Sequence, residues 1–202
     1  MQKKLIAQNL VLLSNIFNIL GINVEYKYGS AEEFPLPDQS CDLVTVAQAL
    51  HWFHVKTFFE EASRVLKPNG RLAVFGYGMC SIDKPNLDIE FKNYYLNILG
   101  SSKEPGQPGC HWEISRPLVD SGLEAIEFPW EPAIRVWENT TQPTSLTDFI
   151  GYLSSFSAYE KLLESSNDPL PVLQKSLQEL GWIEDVNVTR PFFLIVCEKK
   201  IS

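Results

Sequence analysis

The chain has 202 residues, 45% hydrophobic and 21% charged, enough for one domain with a sizeable buried core and unlike disordered, collagen-like or fibrous chains. With 17 Lys and Arg against 25 Asp and Glu the net charge is -8, which removes any general attraction to phosphate backbones or anionic lipid, so neither nucleic acid nor a membrane surface is expected as a partner. No uncharged apolar run approaches the roughly 18 residues that cross a bilayer, and a soluble protein is expected.

Lys3 and Lys4 ahead of Leu5 and Ile6 look like the head of a signal peptide, but Gln8 and Asn9 interrupt the apolar region and no small-x-small cleavage site follows. Leu5, Leu10, Leu13, Phe17 and Leu20 instead keep helical spacing up to Gly21, which predicts an amphipathic helix over residues 1–21. Val24-Glu25-Tyr26-Lys27-Tyr28 then alternates with period two, as a strand does. Pro35, Pro37 and Asp38 mark a loop, and Leu43-Val44-Thr45-Val46-Ala47 reads as a strand buried on both faces. Phe58, Ala62, Val65 and Leu66 form the apolar stripe of a helix stopped by Lys67-Pro68-Asn69-Gly70, and Leu72-Ala73-Val74-Phe75-Gly76 is the next buried strand. Strand, helix and strand in this order are a right-handed parallel crossover, so the core over residues 22–80 is α/β.

Residues 81–182 change character and predict a helical cap or insertion with later core elements. Residues 86–99 have a helical pattern, 101–109 form a Gly/Pro/polar loop, and Trp112, Trp130 and Trp137 follow among prolines. Ser145 and Asp148 have the spacing of a capping box opening a helix over 146–156, and Leu173, Leu177 and Leu180 mark another ended by Gly181. The last segment, 183–202, reads as an antiparallel hairpin: Asp185-Val186-Asn187-Val188, a turn at Thr189-Arg190-Pro191, then a strand over 192–197. The whole chain, 1–202, is expected to be a single domain.

Chemistry concentrates after the strand ending at Ala47. His51-Trp52-Phe53-His54 emerges at its carboxyl end, where open α/β sheets place their ligand crevices. His51 is a candidate general base, while Trp52 is either packing or a ligand platform. His51 and His54 have no Asp or Glu beside them to complete a metal triad, and Cys110-His111 lies in a distant loop, so no metal site is expected. Glu32 and Glu33, after Gly29-Ser30-Ala31, are either a solvated acidic pair or a ligand contact at a strand end. Asp42 is a catalytic acid or a polar residue opening a strand. Gly76-Tyr77-Gly78 lacks the spacing and following helix of a phosphate loop. Cys41, Cys80, Cys110 and Cys197 are widely separated, without metal or disulfide spacing, which fits a reducing cytoplasm.

A family is visible in the succession of Gly29-Ser30-Ala31-Glu32-Glu33, Pro37-Asp38-Gln39-Ser40-Cys41-Asp42-Leu43-Val44, Ala47-Gln48-Ala49-Leu50-His51-Trp52-Phe53 and Arg64-Val65-Leu66-Lys67-Pro68-Asn69-Gly70. It resembles the second part of a class I S-adenosylmethionine-dependent methyltransferase, in particular the methyltransferase type 11 group with its trans-aconitate methyltransferase-like members. Arg116-Pro117-Leu118-Val119-Asp120-Ser121-Gly122 and Phe128-Pro129-Trp130 also look like that subgroup. The resemblance implies a Rossmann-like fold and methyl transfer from S-adenosylmethionine to a small-molecule acceptor, with carboxylates among the candidates. By that resemblance Ala31 and Glu32 border the adenine, Ala47 and Gln48 line the methionine side, and His51 and Trp52 face the acceptor as catalytic residues.

The family's opening strand, glycine loop and second strand, with its ribose-binding acid, have no counterpart here, so the fold is expected to be N-terminally incomplete. Each lost hydrogen bond to a charged or bidentate partner is worth roughly 1.5–3 kcal/mol, so weak or absent cofactor binding follows. A catalytically impaired relative, or a truncated isoform acting through protein partners, is the alternative, with homo- or hetero-oligomers forming through exposed sheet edges. Closing the gap with the fewest unpaired backbone groups puts Val24-Tyr28 beside Leu43-Ala47, in the order 3-4-5-7-6 of the family's strands. Gln48, His51 and Trp52 are expected to share a concave pocket with part of the segment 110–137.

Overall fold

The computed structural model describes residues 25–200. The helix expected over residues 1–21 lies outside the described residues. Strand β1 (Cys41–Ala47) leads through one 3-10 turn (Leu50–Trp52) into α1 (Val55–Val65), which returns the chain to β2 (Leu66–Tyr77). β1 and β2 are parallel, with Val44 opposite Leu72 and Val46 opposite Val74. Phe58, Phe59, Ala62 and Val65 recur on one face of α1, and that face packs on Val44, Val46, Leu72 and Val74 to make the first core. The predicted crossover is therefore present.

After β2 come β3 (Ser81–Ile82), α2 (Pro85–Asn93) continuing as a π turn (Tyr94–Ile98), the short α3 (Arg116–Asp120), and β4 (Ile134–Thr144). Helices α4 (Leu146–Ser154), α5 (Ser157–Leu163) and α6 (Leu170–Glu179) precede β5 (Val186–Glu198). Ser145 caps α4 as its spacing predicts, its hydroxyl accepting from the Asp148 N–H at 3.1 Å. Helices α2, α4, α5 and α6 enclose a second core around Phe91, Tyr95, Phe149, Leu153 and Leu177. The expected helical cap is this second core, laid against β3 and the amino-terminal half of β5.

Three expectations are corrected. Residues 185–197 form no hairpin. β5 is one continuous strand, antiparallel to β2 on one side and to β4 on the other, and it carries β3 as well. Pro191 falls between Phe192, opposite the last residue of β2, and Thr189, opposite the first of β3, so its missing N–H lies where one neighbour has ended and the next has not begun. The strand partner β4 lies within the segment expected to be helical and irregular.

The second correction is that residues 25–28, the described part of the expected first strand, join no ladder, and Tyr28 is 72% exposed. The described sheet runs β1-β2-β5-β3 with β4 beside β5, and the free side of β1 is not filled from residues 25–28. Alternation marks a strand only where a neighbour supplies hydrogen bonds and a surface to bury. Instead the following segment is tied to α1: Glu61 accepts from the Phe34 N–H, and Arg64 donates to the carbonyls of Leu36 and Phe34 and to Asp38.

The third is that β1 is buried on one face only. Leu43, Phe75, Leu194 and Val136 are 53%, 41%, 38% and 49% exposed on the sheet face opposite α1. The apolar run in β1 indicates a two-sided strand, and no described element covers its second side.

Candidate active site

The parallel register of β1 and β2 brings both carboxyl ends together. Gln48 follows β1 in the left-handed region, at φ 48°. Its side chain turns back on the end of β2, where Oε1 accepts from the Tyr77 N–H at 2.9 Å and Nε2 donates to the Tyr77 carbonyl at 3.1 Å. This two-point clamp fixes the strand ends that hold the site. Gly76 lies beneath it: a Cβ there would stand 2.1 Å from Gln48 Oε1 and 2.7 Å from the Phe193 ring.

Gln48, His51 and Trp52 line a single cavity of about 250 Å³. Tyr77, Gly78 and Met79 continue its wall from β2, and the cap closes it with Tyr95, Trp112, Arg116, Tyr152 and Phe156. The 3-10 turn buries Leu50 and directs His51 inward. The His51 ring lies 5.6 Å from that of Trp52, which is 49% exposed at the rim. Burial, with the positive charge of Arg116 as a second cause, lowers the His51 pKa to about 4. At neutral pH this imidazole is uncharged, and it is a weak base.

Arg116 is the cationic counterpart. Its side chain is 12% exposed, Nε donates to the Tyr95 hydroxyl at 2.7 Å and Nη2 to Asp120 at 2.7 Å. The guanidinium lies 4.7 Å from the Trp112 ring centroid. Burial disfavours its charge, but Tyr95 and Asp120 outweigh that and hold its pKa above the ordinary value. Burial also pushes the neighbouring hydroxyls of Tyr95 and Tyr152 up, so both stay protonated donors. Glu113 at the rim faces Lys161 at 3.7 Å.

The remaining sequence candidates fall elsewhere. Ala31 lines a separate, more open concavity with Phe34, Pro35 and Phe53. The Glu32 carboxylate accepts from the His54 N–H, the residue ahead of α1, at 2.9 Å and from the Ser30 hydroxyl, and these bonds hold its pKa below the ordinary carboxylate value. Ala47 is exposed on the open sheet face and lines neither space. Asp42 pairs with Lys67 at 2.8 Å at the opposite end of β1, which removes it as a catalytic acid of this cavity. His54 opens α1 and does not line the cavity. Among the described residues no group of His, Cys, Asp and Glu is arranged to hold a metal ion.

The expected share of segment 110–137 in the cavity is present as Trp112, Glu113, Ile114, Arg116 and Val119, whereas Tyr95 and Tyr152 lie outside every segment the sequence pointed to for the site. Arg116 stands in a quoted motif, but nothing in its spacing assigns it a role. Its one usable signal is an arginine four residues before an aspartate at the start of a short helix, an i,i+4 pair on one face.

Comparison with known proteins gives a consistent picture. The family model described as a methyltransferase domain matches residues 6–74. A protein of Dictyostelium discoideum bearing a methyltransferase name is 31% identical over 185 residues, covering 88% of this chain and 67% of that protein. An uncharacterized methyltransferase-like protein of Schizosaccharomyces pombe is 50% identical over 149 residues, 72% of this chain and 52% of its own length. The chain thus spans about two thirds of the first relative and about half of the second. Among solved structures, one described as a type II methyltransferase from Anaeromyxobacter dehalogenans superposes with a TM-score of 0.65 at 26% identity, covering 87% of this chain and 72% of that one.

Proposed function

The chain belongs to the class I S-adenosylmethionine-dependent methyltransferase family, and from that premise we propose that it transfers a methyl group to a small carboxylate-bearing acceptor held in the cavity between the strand ends and the helical cap. The observation that carries this reading is the convergence of neutral His51 and cationic Arg116 inside one aromatic-walled cavity at the carboxyl end of β1.

The residues present fit the reactive end of S-adenosylmethionine. Trp52 offers an exposed indole face to a sulfonium at the cavity rim, whereas Ala47, on the open sheet face, does not line the cavity. Gln48 and Glu32 serve it less directly, because their side chains are engaged at Tyr77 and His54. When bound, the cofactor supplies an electrophilic methyl group whose carbon–sulfur bond breaks with the electron pair going to sulfur.

The chain's own residues do the rest. Arg116 orients the acceptor, and the cap formed by Trp112, Tyr152 and Phe156 excludes water. A carboxylate attacks through an oxygen lone pair and needs no proton removed, which suits a histidine that is a weak base. His51 then serves as a neutral wall that adds no charge to compete for the acceptor. The test is incubation with methyl-labelled S-adenosylmethionine and a panel of small carboxylic acids, with extraction of labelled methyl ester. Label in the ester fraction that is lost in Arg116→Met supports the reading; label only in amines or hydroxyl compounds overturns it.

The open sheet face favours a second reading, in which two copies associate through it. Leu43, Phe75, Ile134, Val136, Phe192 and Leu194 are 53%, 41%, 60%, 49%, 39% and 38% exposed. They share one face by register, next to the edge of β1 that no described strand pairs. Two such faces together would bury on the order of 1,000 Å², the lower limit for a specific interface. Light scattering decides it: a monomer at about 100 μM excludes this reading.

A further inference from the structure

The cavity says more about its occupant than that it carries a carboxylate. Among the described residues Arg116 is the only cation in its lining. Asp120 and the Tyr95 hydroxyl engage its Nη2 and Nε, and Nη1 makes no hydrogen bond among the described residues. One anionic group can therefore be met, and its charge is already partly offset by Asp120. Arg190, the other arginine nearby, sits 4.8 Å from the Tyr152 ring centroid and does not line the cavity. The rim carboxylate of Glu113 adds negative charge that Lys161, 3.7 Å away, partly offsets. Much of the remaining wall is ring surface from Phe91, Tyr95, Trp112, Tyr152 and Phe156, with the uncharged Ser155 and Ser157 beside it. Trp112, 8% exposed, is part of this ring wall. The volume of about 250 Å³ falls below the roughly 300–1,000 Å³ of sites for drug-sized ligands.

Resting on the acceptor-site reading above, we infer that the acceptor is a monocarboxylate with an apolar or aromatic skeleton of about a dozen heavy atoms, its carboxylate on Nη1 of Arg116 and its skeleton among the cap aromatics, and that di- and tricarboxylates are excluded. A second carboxylate would have to enter this space without a cationic counter-ion among the described residues, at a desolvation cost that neutral hydroxyls only partly offset. Arg116 is thereby the specificity-determining residue, with Tyr95 and Asp120 as positioning residues that aim it.

The test is calorimetric binding of three probes to the chain in the absence of cofactor: 3-phenylpropanoate, its uncharged amide, and citrate. The acid is expected to bind about tenfold or more tightly than either the amide or citrate. Arg116→Met is expected to erase the preference for the acid over the amide, and Arg116→Lys to keep part of it. The His51 imidazole, followed by NMR titration, is expected to titrate at higher pH when the acid is bound, since the ligand's negative charge offsets that of Arg116. Citrate binding as tightly as the acid, the amide matching the acid, or none of the probes binding at 10 mM each overturns the inference. Should the Met variant fail to fold by near-ultraviolet circular dichroism, the wild-type probe ratios and the Lys variant decide. Because no cofactor is present, these outcomes are independent of whether the labelled-methyl experiment succeeds.

Discussion

His51 shows how position changes a side chain's chemistry. Its folded pKa of about 4 lies below the ordinary 6.5, so between those values the unfolded chain binds a proton that the folded chain does not. The resulting stability contribution is complete above about pH 6.5 and is lost as the pH falls toward about 4. Denaturant melts at pH 7, 5.5 and 4.5 should therefore show a steeper loss for the wild type than for His51→Asn; parallel curves would place His51 in solvent. Gln48 makes the complementary point, since a residue expected beside a cofactor spends both ends of its amide on the Tyr77 backbone. Gln48→Ala leaves the half-buried Tyr77 N–H and carbonyl without these partners and should cost about 1–3 kcal/mol by urea titration. Gly76→Ala should cost a similar ~1–3 kcal/mol, because its methyl group would meet the Gln48 amide and the Phe193 ring at once.

At the scale of elements, a few polar anchors decide where the chain goes between regular segments. Glu61 on α1 accepts from the Phe34 N–H and from Arg64, and Arg64 in turn holds two carbonyls and Asp38. These bonds keep the Glu61 carboxyl below its ordinary pKa, with the Arg64 hydrogen bond the largest cause. Glu61→Ala should release residues 34–38 from the helix while leaving β1 and β2 paired. Hydrogen exchange reads this directly: faster exchange at Phe34 with unchanged protection at Val44 and Val46 is expected, and uniform loss of protection would mean the anchor supports the entire core. The crossover, the capped α4 and the helix ending near Gly181 were legible in advance because each rests on local spacing and local chemistry. β4 was not, since its apolar residues end at Trp137 and the polar run from Glu138 to Thr144, with Pro143 in it, has no apolar alternation. Its strand state comes from the ladder that β5 offers along Ile134 to Thr144.

For the whole molecule, the sheet has one face packed under α1 and another on which apolar side chains stay exposed. Leu194→Gln with Val136→Thr should leave unfolding stability within about 0.5 kcal/mol, as surface changes do, while lowering the binding of an apolar fluorescent dye. A loss of several kcal/mol would mean that this face is covered in solution. The sequence by itself determined the α/β class, the crossover, the family and the stretch from Gln48 to Trp52 as the centre of interest, because these follow from short-range periodicity and contiguous motifs. Only the tertiary structure decided that β5 is one strand with β4 beside it, that residues 25–28 do not pair, and that Arg116, Tyr95 and Trp112 close over His51. Those facts depend on contacts between segments tens of residues apart, and a ladder, a bare edge or a buried charge takes its energy from the neighbour it meets rather than from the residues on either side of it in the chain.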